Sequence, residues 1–184
     1  FCIDLLCGGS QKAVSAPPGL TFVTISPAAW KTMKERRTPI ASFYANLLAF
    51  DGYFEKQWFP YTMPISDIRG LRAAFENIQA DSDMLLRHAR IARAVRTALT
   101  SCGLRLHTRD GWSNTVSVFD VPEGTTASAI LTTLRADHNL MLAGSFDVLE
   151  GQVIRIGHMG ENAREEKLAA VMKALDAVFA KLGG

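Results

Sequence analysis

The sequence predicts a mixed α/β chain in two parts that meet near residue 81. Three observations carry this expectation. Two short strand-like runs, 1–7 and 20–26, open the chain and are separated by turn residues. Asp81-Ser82-Asp83 interrupts two helical patterns. Beyond it the order is a long helix followed by β-β-α-β-β-α, which describes a small α+β layer. Residues 1–80 are therefore placed in one domain and residues 81–184 in a second.

Each element has a local reason. Residues 1–7, "FCIDLLC", are apolar apart from Asp4 and read as a buried strand. A Gly8-Gly9 turn follows, and Ala16-Pro17-Pro18-Gly19 forbids helix. "LTFVTIS" (20–26) alternates and is β-branched, so it is a second strand. Ser26-Pro27 supplies an N-cap and a first-turn proline for a helix to about Arg37. Residues 38–65 are aromatic-rich and irregular. Ser66 or Asp67 caps a helix with Ile68, Leu71, Phe75 and Ile78 at helical spacing. After 81–83 a long helix runs to about Ser101 and stops before Gly103. Strands are expected near 104–108 and 115–121, then a helix capped by Thr125 or Thr126. Further strands are expected at 140–143 and 152–158. Asn162 and Glu165 form a capping box for a last helix that ends at Gly183.

Composition excludes several classes. The chain is 48% hydrophobic and 21% charged, as expected of a globular protein with a sizeable core. A net charge of +2 is too mild to argue for nucleic acid. No apolar run approaches the roughly 20 residues of a membrane span. Three cysteines (Cys2, Cys7 and Cys102) without a CxxC pair suggest free thiols in a reducing compartment. No signal peptide is visible and "KLGG" is not a Ser-Lys-Leu address, so a cytoplasmic location is expected. The chain opens without Met, inside a strand-like run, and is expected to be part of something longer.

The segment "GGSQKAVSAPPGLT" (8–21) places Lys12 in a polar turn after a strand. A lysine amine becomes nucleophilic when burial or a nearby cation lowers its pKa, and then condenses with an aldehyde such as that of pyridoxal phosphate. Gly8 and Gly9 let backbone approach a ligand, and Ser10 and Gln11 offer donors to phosphate oxygens. The spacing is not that of a nucleotide phosphate loop. By local physics alone, an inert surface lysine beside a turn is the favoured reading.

These residues resemble the lysine segment of the class V aminotransferases, within the fold-type-I pyridoxal phosphate enzymes. They are most similar to the alanine–glyoxylate and serine–pyruvate branch. "SFY" (42–44), "YTMPI" (61–65) and "VIRIGHMG" (153–160) follow in the same order. The resemblance implies the C-terminal half of such an enzyme: the end of the large α/β cofactor domain plus a small α+β domain. It implies pyridoxal 5′-phosphate as cofactor, with Lys12 as the Schiff-base lysine and Gln11 as a phosphate contact. Thr62 resembles a threonine that reaches the cofactor phosphate of the partner subunit. Arg155 resembles the arginine that holds the substrate α-carboxylate, and a strand puts it opposite Ile154 and Ile156. Phe59 stands where some relatives have a tyrosine, so no phenol contact is carried over. The pyridinium-nitrogen partner is expected upstream, with Asp4 a structural residue.

The activity so implied is transfer of an amino group from alanine or serine to glyoxylate or pyruvate. The partners implied are small amino and keto acids and a second copy of the chain, met through the aromatic region 38–65, with no nucleic acid and no membrane. Alternatives are a ureidoglycine–glyoxylate aminotransferase, a cysteine desulfurase or lyase on the same scaffold, or a non-catalytic fragment. A desulfurase needs a mobile catalytic cysteine, for which Cys102 at a helix end is a poor fit. Arg87, Arg90, Arg93 and Arg96 recur every third residue; steps of three drift around a 3.6-residue helix and make no tight stripe, so they read as solvated rather than as a site for an acidic partner. His158 follows the arginine strand and is expected near the site. The histidines share no metal-ligand spacing.

Overall fold

A computed structural model describes residues 2–183. The elements in order are β1 (Leu5–Gly9), β2 (Thr21–Ile25), α1 (Pro27–Lys34), α2 (Ile65–Ala80), α3 (Met84–Ser101), β3 (Val116–Asp120), α4 (Ala127–His138), β4 (Val153–Gly157) and α5 (Glu165–Leu182). Short 3₁₀ turns lie at Leu47–Phe50, Asp147–Leu149 and Gly160–Asn162. The chain forms two compact units that divide between Asn77 and Ile78, within the last turn of α2.

In the first unit β1 pairs antiparallel with β2, in a register that sets Cys7 against Val23. The first strand therefore starts later than expected and runs through Gly8-Gly9, and the turn begins at Ser10. Phe1 lies outside the described residues. The strand is also exposed rather than buried. It pairs only with β2, and Leu5 and Leu6 stay 53% and 55% exposed among the described residues. Ser26 caps α1 as expected, its Oγ accepting from Ala29 N at 3.0 Å. Asp4 braces that cap: Ser26 Oγ donates to Asp4 Oδ1 at 2.6 Å and Ser26 N to Asp4 O at 2.8 Å. Residues 38–64 hold no long helix, and a chain of edge-on ring contacts links Phe43, Tyr61, Phe50, Phe59 and Tyr53. Helix α2 begins at Ile65, with Ile68 N donating to Pro64 O, so Ser66 and Asp67 sit in the first turn instead of capping it.

The second unit is built on β3 and β4, antiparallel with Val118 opposite Arg155. The two flanking strands expected at 104–108 and 140–143 are each reduced to one bridge, Leu106–Phe119 and Ala143–Arg155. The reasons are local. The side chains of Arg105 and His107 both turn to Asp120, and the segment leaves the sheet after two backbone bonds to β3. Residues 139–140 are still closing α4, with Asn139 left-handed at its C-cap and Leu140 N bonded to Leu134 O. Strand periodicity survives in β4: Ile154 and Ile156 enter a core with Ile91, Leu99, Phe119, Leu134 and Leu175. Burial of each such side chain is worth about 1.5–3 kcal/mol.

Two further expectations are corrected. The last helix has Arg164 at its N-cap without a side-chain bond, because Asn162 Oδ1 accepts from Lys167 Nζ at 2.9 Å. The α3 arginines do not share one solvated face. Arg87 is buried, with ion pairing to Asp81 at 2.6 Å and Nε donating to Ala163 O at 3.1 Å. Residue 87 falls beside the core stripe of Ile91, Val95 and Leu99, and three-residue steps carry only the later arginines outward.

The core predicts its own test. Phe119→Ala should cost about 3–5 kcal/mol in urea unfolding. Val148→Ala, 83% exposed, should stay within about 0.5 kcal/mol of the parent.

Candidate active site

Lys12 stands in a turn whose shape is fixed by Ser10. That serine is fully buried. Its Oγ donates to Pro17 O at 2.6 Å and accepts from Leu20 N at 3.3 Å. Its backbone binds Leu20 O through the N–H and Ala16 N through the carbonyl. Pro17 and Pro18 cannot donate, so the hydroxyl takes one of their carbonyls as its acceptor instead. Lys12 N donates to Gly9 O, and Ser15 N to Lys12 O, which closes the turn in both directions. The Lys12 side chain is exposed and makes no ion pair among the described residues.

Gln11 is exposed beside it, its Oε1 close to where a Cβ on Gly9 would stand. Ser10 is not a free donor, contrary to the expectation above, since its hydroxyl is consumed inside the loop. Gly8 has a packing role as well: a Cβ there would enter the ring of Phe22.

Thr62 lies in the same unit, exposed, with no side-chain hydrogen bond to its own turn among the described residues. Tyr61 beside it is occupied. Its hydroxyl lies 2.9 Å from Phe43 O and 2.7 Å from Tyr44 O, and its ring packs on Phe43, Tyr44, Phe50 and Phe59. The phenol therefore fixes the aromatic loop.

Arg155 belongs to the second unit. Ala143 and Arg155 exchange both backbone bonds, at 2.7 and 3.3 Å. Arg155 Nε donates to Gly144 O at 2.7 Å, and its Cζ lies 5.9 Å from the ring centroid of Phe146. No carboxylate lies within ion-pair distance of it among the described residues. Because Nε is committed to a carbonyl, the two terminal nitrogens form the open edge of the guanidinium fork. Sequence reasoning missed this brace, since nothing in "AGSFDV" marks a carbonyl and a ring as partners of a residue ten positions on.

His158 is buried, and its Nε2 lies 2.9 Å from Ser117 Oγ. Nδ1 is buried without a hydrogen bond of good geometry. Burial pushes its pKa below the ordinary 6.5, with the charge of Arg96 acting the same way and nearby backbone hydrogen bonds opposing. His88 is a second core histidine: Gly160 N donates to its Nε2 at 2.8 Å, so the ring proton sits on Nδ1 and faces Met84 O at 2.7 Å. Both tie the GHMG segment to the unit's interior. Cys102 Sγ donates to Asp176 Oδ1 at 3.4 Å, and burial followed by that carboxylate raises its pKa. No metal-ligating cluster occurs among the described residues, and none of their helices is long and apolar enough to cross a membrane.

No family model matches the chain. Two curated relatives are a soluble hydrogenase small subunit of Synechococcus sp., 36% identical over 98% of this chain and 47% of its own length, and the L-aspartate–glyoxylate aminotransferase of Paracoccus denitrificans, 34% identical over 98% of this chain and 46% of its own. Among solved structures, the alanine–glyoxylate aminotransferase of Nostoc sp. superposes with a TM-score of 0.90 at 28% identity, over 96% of this chain and 48% of that one. The chain matches the C-terminal half of the class V aminotransferases. Its fold is the corresponding part of a fold-type-I enzyme. It spans about half the length of the curated relatives it matches.

The buried histidine makes the second unit acid-sensitive in a defined sense. His158 resists protonation when folded and accepts a proton below about pH 6.5 when unfolded. The stability that its neutral form contributes is complete above that value and is lost as pH falls through the depressed folded value. The urea midpoint should drop from about pH 7 to about pH 5, and His158→Gln should flatten that drop.

Proposed function

We propose that this chain forms the C-terminal part of a pyridoxal-phosphate transaminase that moves an amino group from a small amino acid, alanine or serine, to glyoxylate or pyruvate. The observation that carries the reading is Arg155: a braced guanidinium whose terminal nitrogens have no hydrogen bond and no carboxylate within ion-pair distance among the described residues. It stands on a chain matched from end to end by glyoxylate-using aminotransferases. An α-carboxylate is the planar, two-oxygen partner that such an edge fits.

The residues of the first unit suit the cofactor. Lys12 offers an exposed amine, without an ion pair among the described residues, on a turn closed at both ends, and Thr62 and Gln11 offer exposed polar groups for a phosphate. When bound, pyridoxal phosphate supplies the electron sink that makes the substrate Cα proton removable. Lys12 would hold the cofactor through its amine and, once released, would move the proton at the substrate Cα. Arg155 would hold the substrate carboxylate through its terminal nitrogens. The raised pKa of Cys102, tied to Asp176, argues against sulfur transfer at that residue.

A second copy of the chain is the partner we assign to the aromatic segment. Phe43, Tyr44, Phe54 and Trp58 are 69%, 79%, 78% and 53% exposed, while the rings beneath them are locked together. That combination of a rigid base and a large apolar surface suits an interface.

In the protein expressed from its complete reading frame, Lys12→Ala should abolish the visible cofactor band and the covalent adduct trapped by borohydride. A Lys12→Ala protein that keeps both would overturn the assignment. Arg155→Lys should raise KM for amino and keto acid together by roughly tenfold or more, while the cofactor band stays. Phe146→Ala should raise the same KM values several-fold with kcat little changed, as expected of a residue that positions the clamp.

A further inference from the structure

The four α3 arginines divide into two pairs with different surroundings. Arg87 has Asp81, and Arg90 has Glu165 at 3.0 Å and Asp83 at 3.5 Å. Arg93 and Arg96 have no carboxylate within ion-pair distance among the described residues. They are three positions apart, so their side chains are neighbours on the helix surface. Both line one open cavity of about 300 Å³, whose walls are completed by Thr97, Thr100, Leu106 and Trp112.

The guanidinium of Arg96 is held in place there. Its Nη1 donates to Ser113 O at 3.2 Å, and its Cζ lies 5.0 Å from the ring centroid of Trp112. That ring is itself fixed, with Nε1 donating to Thr108 O at 3.0 Å, and is 48% exposed. Burial and then the charge of Arg93 both work against the cationic form of Arg96. A pair of adjacent cations, one of them immobilised and partly desolvated, lacks the counter-charge given to every other structured arginine of this helix. The Thr97 hydroxyl has no hydrogen bond among the described residues, whereas that of Thr100 is bonded to its own helix.

We propose that this cavity binds a phosphate group, free or as a small monoester, between Arg93 and Arg96. A phosphate dianion matches two guanidinium charges, and its several acceptor oxygens accommodate two forks and a hydroxyl at once. A monocarboxylate needs only one such fork. The exposed half of Trp112 offers a flat apolar wall for the organic part of an ester. The site lies within the second unit and shares no residue with the group around Lys12, so it does not rest on the function proposed above.

The test is an NMR titration of the full chain with inorganic phosphate and separately with phenyl phosphate, at constant ionic strength set by chloride. The indole N–H signal of Trp112, assigned by its loss in Trp112→Phe, is the readout. We expect a saturable shift that is weakened at least tenfold in Arg96→Gln and several-fold in Arg93→Gln, and is unchanged in Arg90→Gln. Lys12→Ala with Thr62→Ala should leave it intact, separating this site from any phosphate bound in the first unit. Tighter binding of phenyl phosphate assigns the Trp112 wall to an ester, and equal affinity assigns the site to free phosphate. A shift no larger than that produced by chloride, or a wild-type titration in folded Arg93→Gln, would overturn the proposal. So would loss of the shift in the Lys12/Thr62 double variant.

Discussion

Alternation along β4 is the constraint on which the second unit depends. Ile154 and Ile156 commit one face of a five-residue strand to the core. A period of two then leaves Arg155 on the other face. A one-residue slip would bury a guanidinium and expose two isoleucines, so hydrophobic burial holds the register. The bond from Arg155 Nε to Gly144 O then limits the guanidinium itself. The same apolar free energy that folds the unit therefore orients its charge.

The first unit solves a similar problem by hydrogen bonding. A lysine presented in solvent needs a turn that does not collapse on its own amine. Ser10 provides it by accepting and donating inside a loop whose prolines lack N–H groups. Removing that hydroxyl would leave the Pro17 carbonyl without its 2.6 Å partner, beside a residue that has no solvent contact. The serine of "GGSQK" acts on the backbone of its own loop.

What was legible in the sequence follows from the range of the forces concerned. Helix starts governed by neighbouring atoms were read well: Ser26 and Thr126 cap as their side chains dictate. Strand alternation at 153–157 was legible because one face is fully covered. The segments at 104–108 and 140–143 were over-read, since their composition permits extension but pairing is decided by partners more distant in sequence. The capping box at 162–165 failed for a competitive reason, because Lys167 takes the Asn162 oxygen. As site candidates, Lys12, Gln11, Thr62 and Arg155 were singled out through ordered motifs. Ser10, Gly144 and Phe146 were not, because their contribution lies in what they hold.

The α3 arginines show most clearly where sequence spacing runs out. Steps of three on a 3.6-residue helix move each successive side chain about 60° around the axis. Four residues of one type thus sample four environments. Arg87 falls near the core and needs Asp81 to be tolerated there, since an unpaired buried charge is costly. Arg90 reaches the first turn of α5, where Glu165 is well placed for that helix dipole. Arg93 and Arg96 rotate toward the loop that carries Trp112, which supplies a carbonyl and an aromatic face but, among the described residues, no carboxylate within ion-pair distance of either. Composition counts four equal cations on this helix. Geometry leaves two of them neutralised and two facing the same open cavity, and only the second kind has anything left to bind.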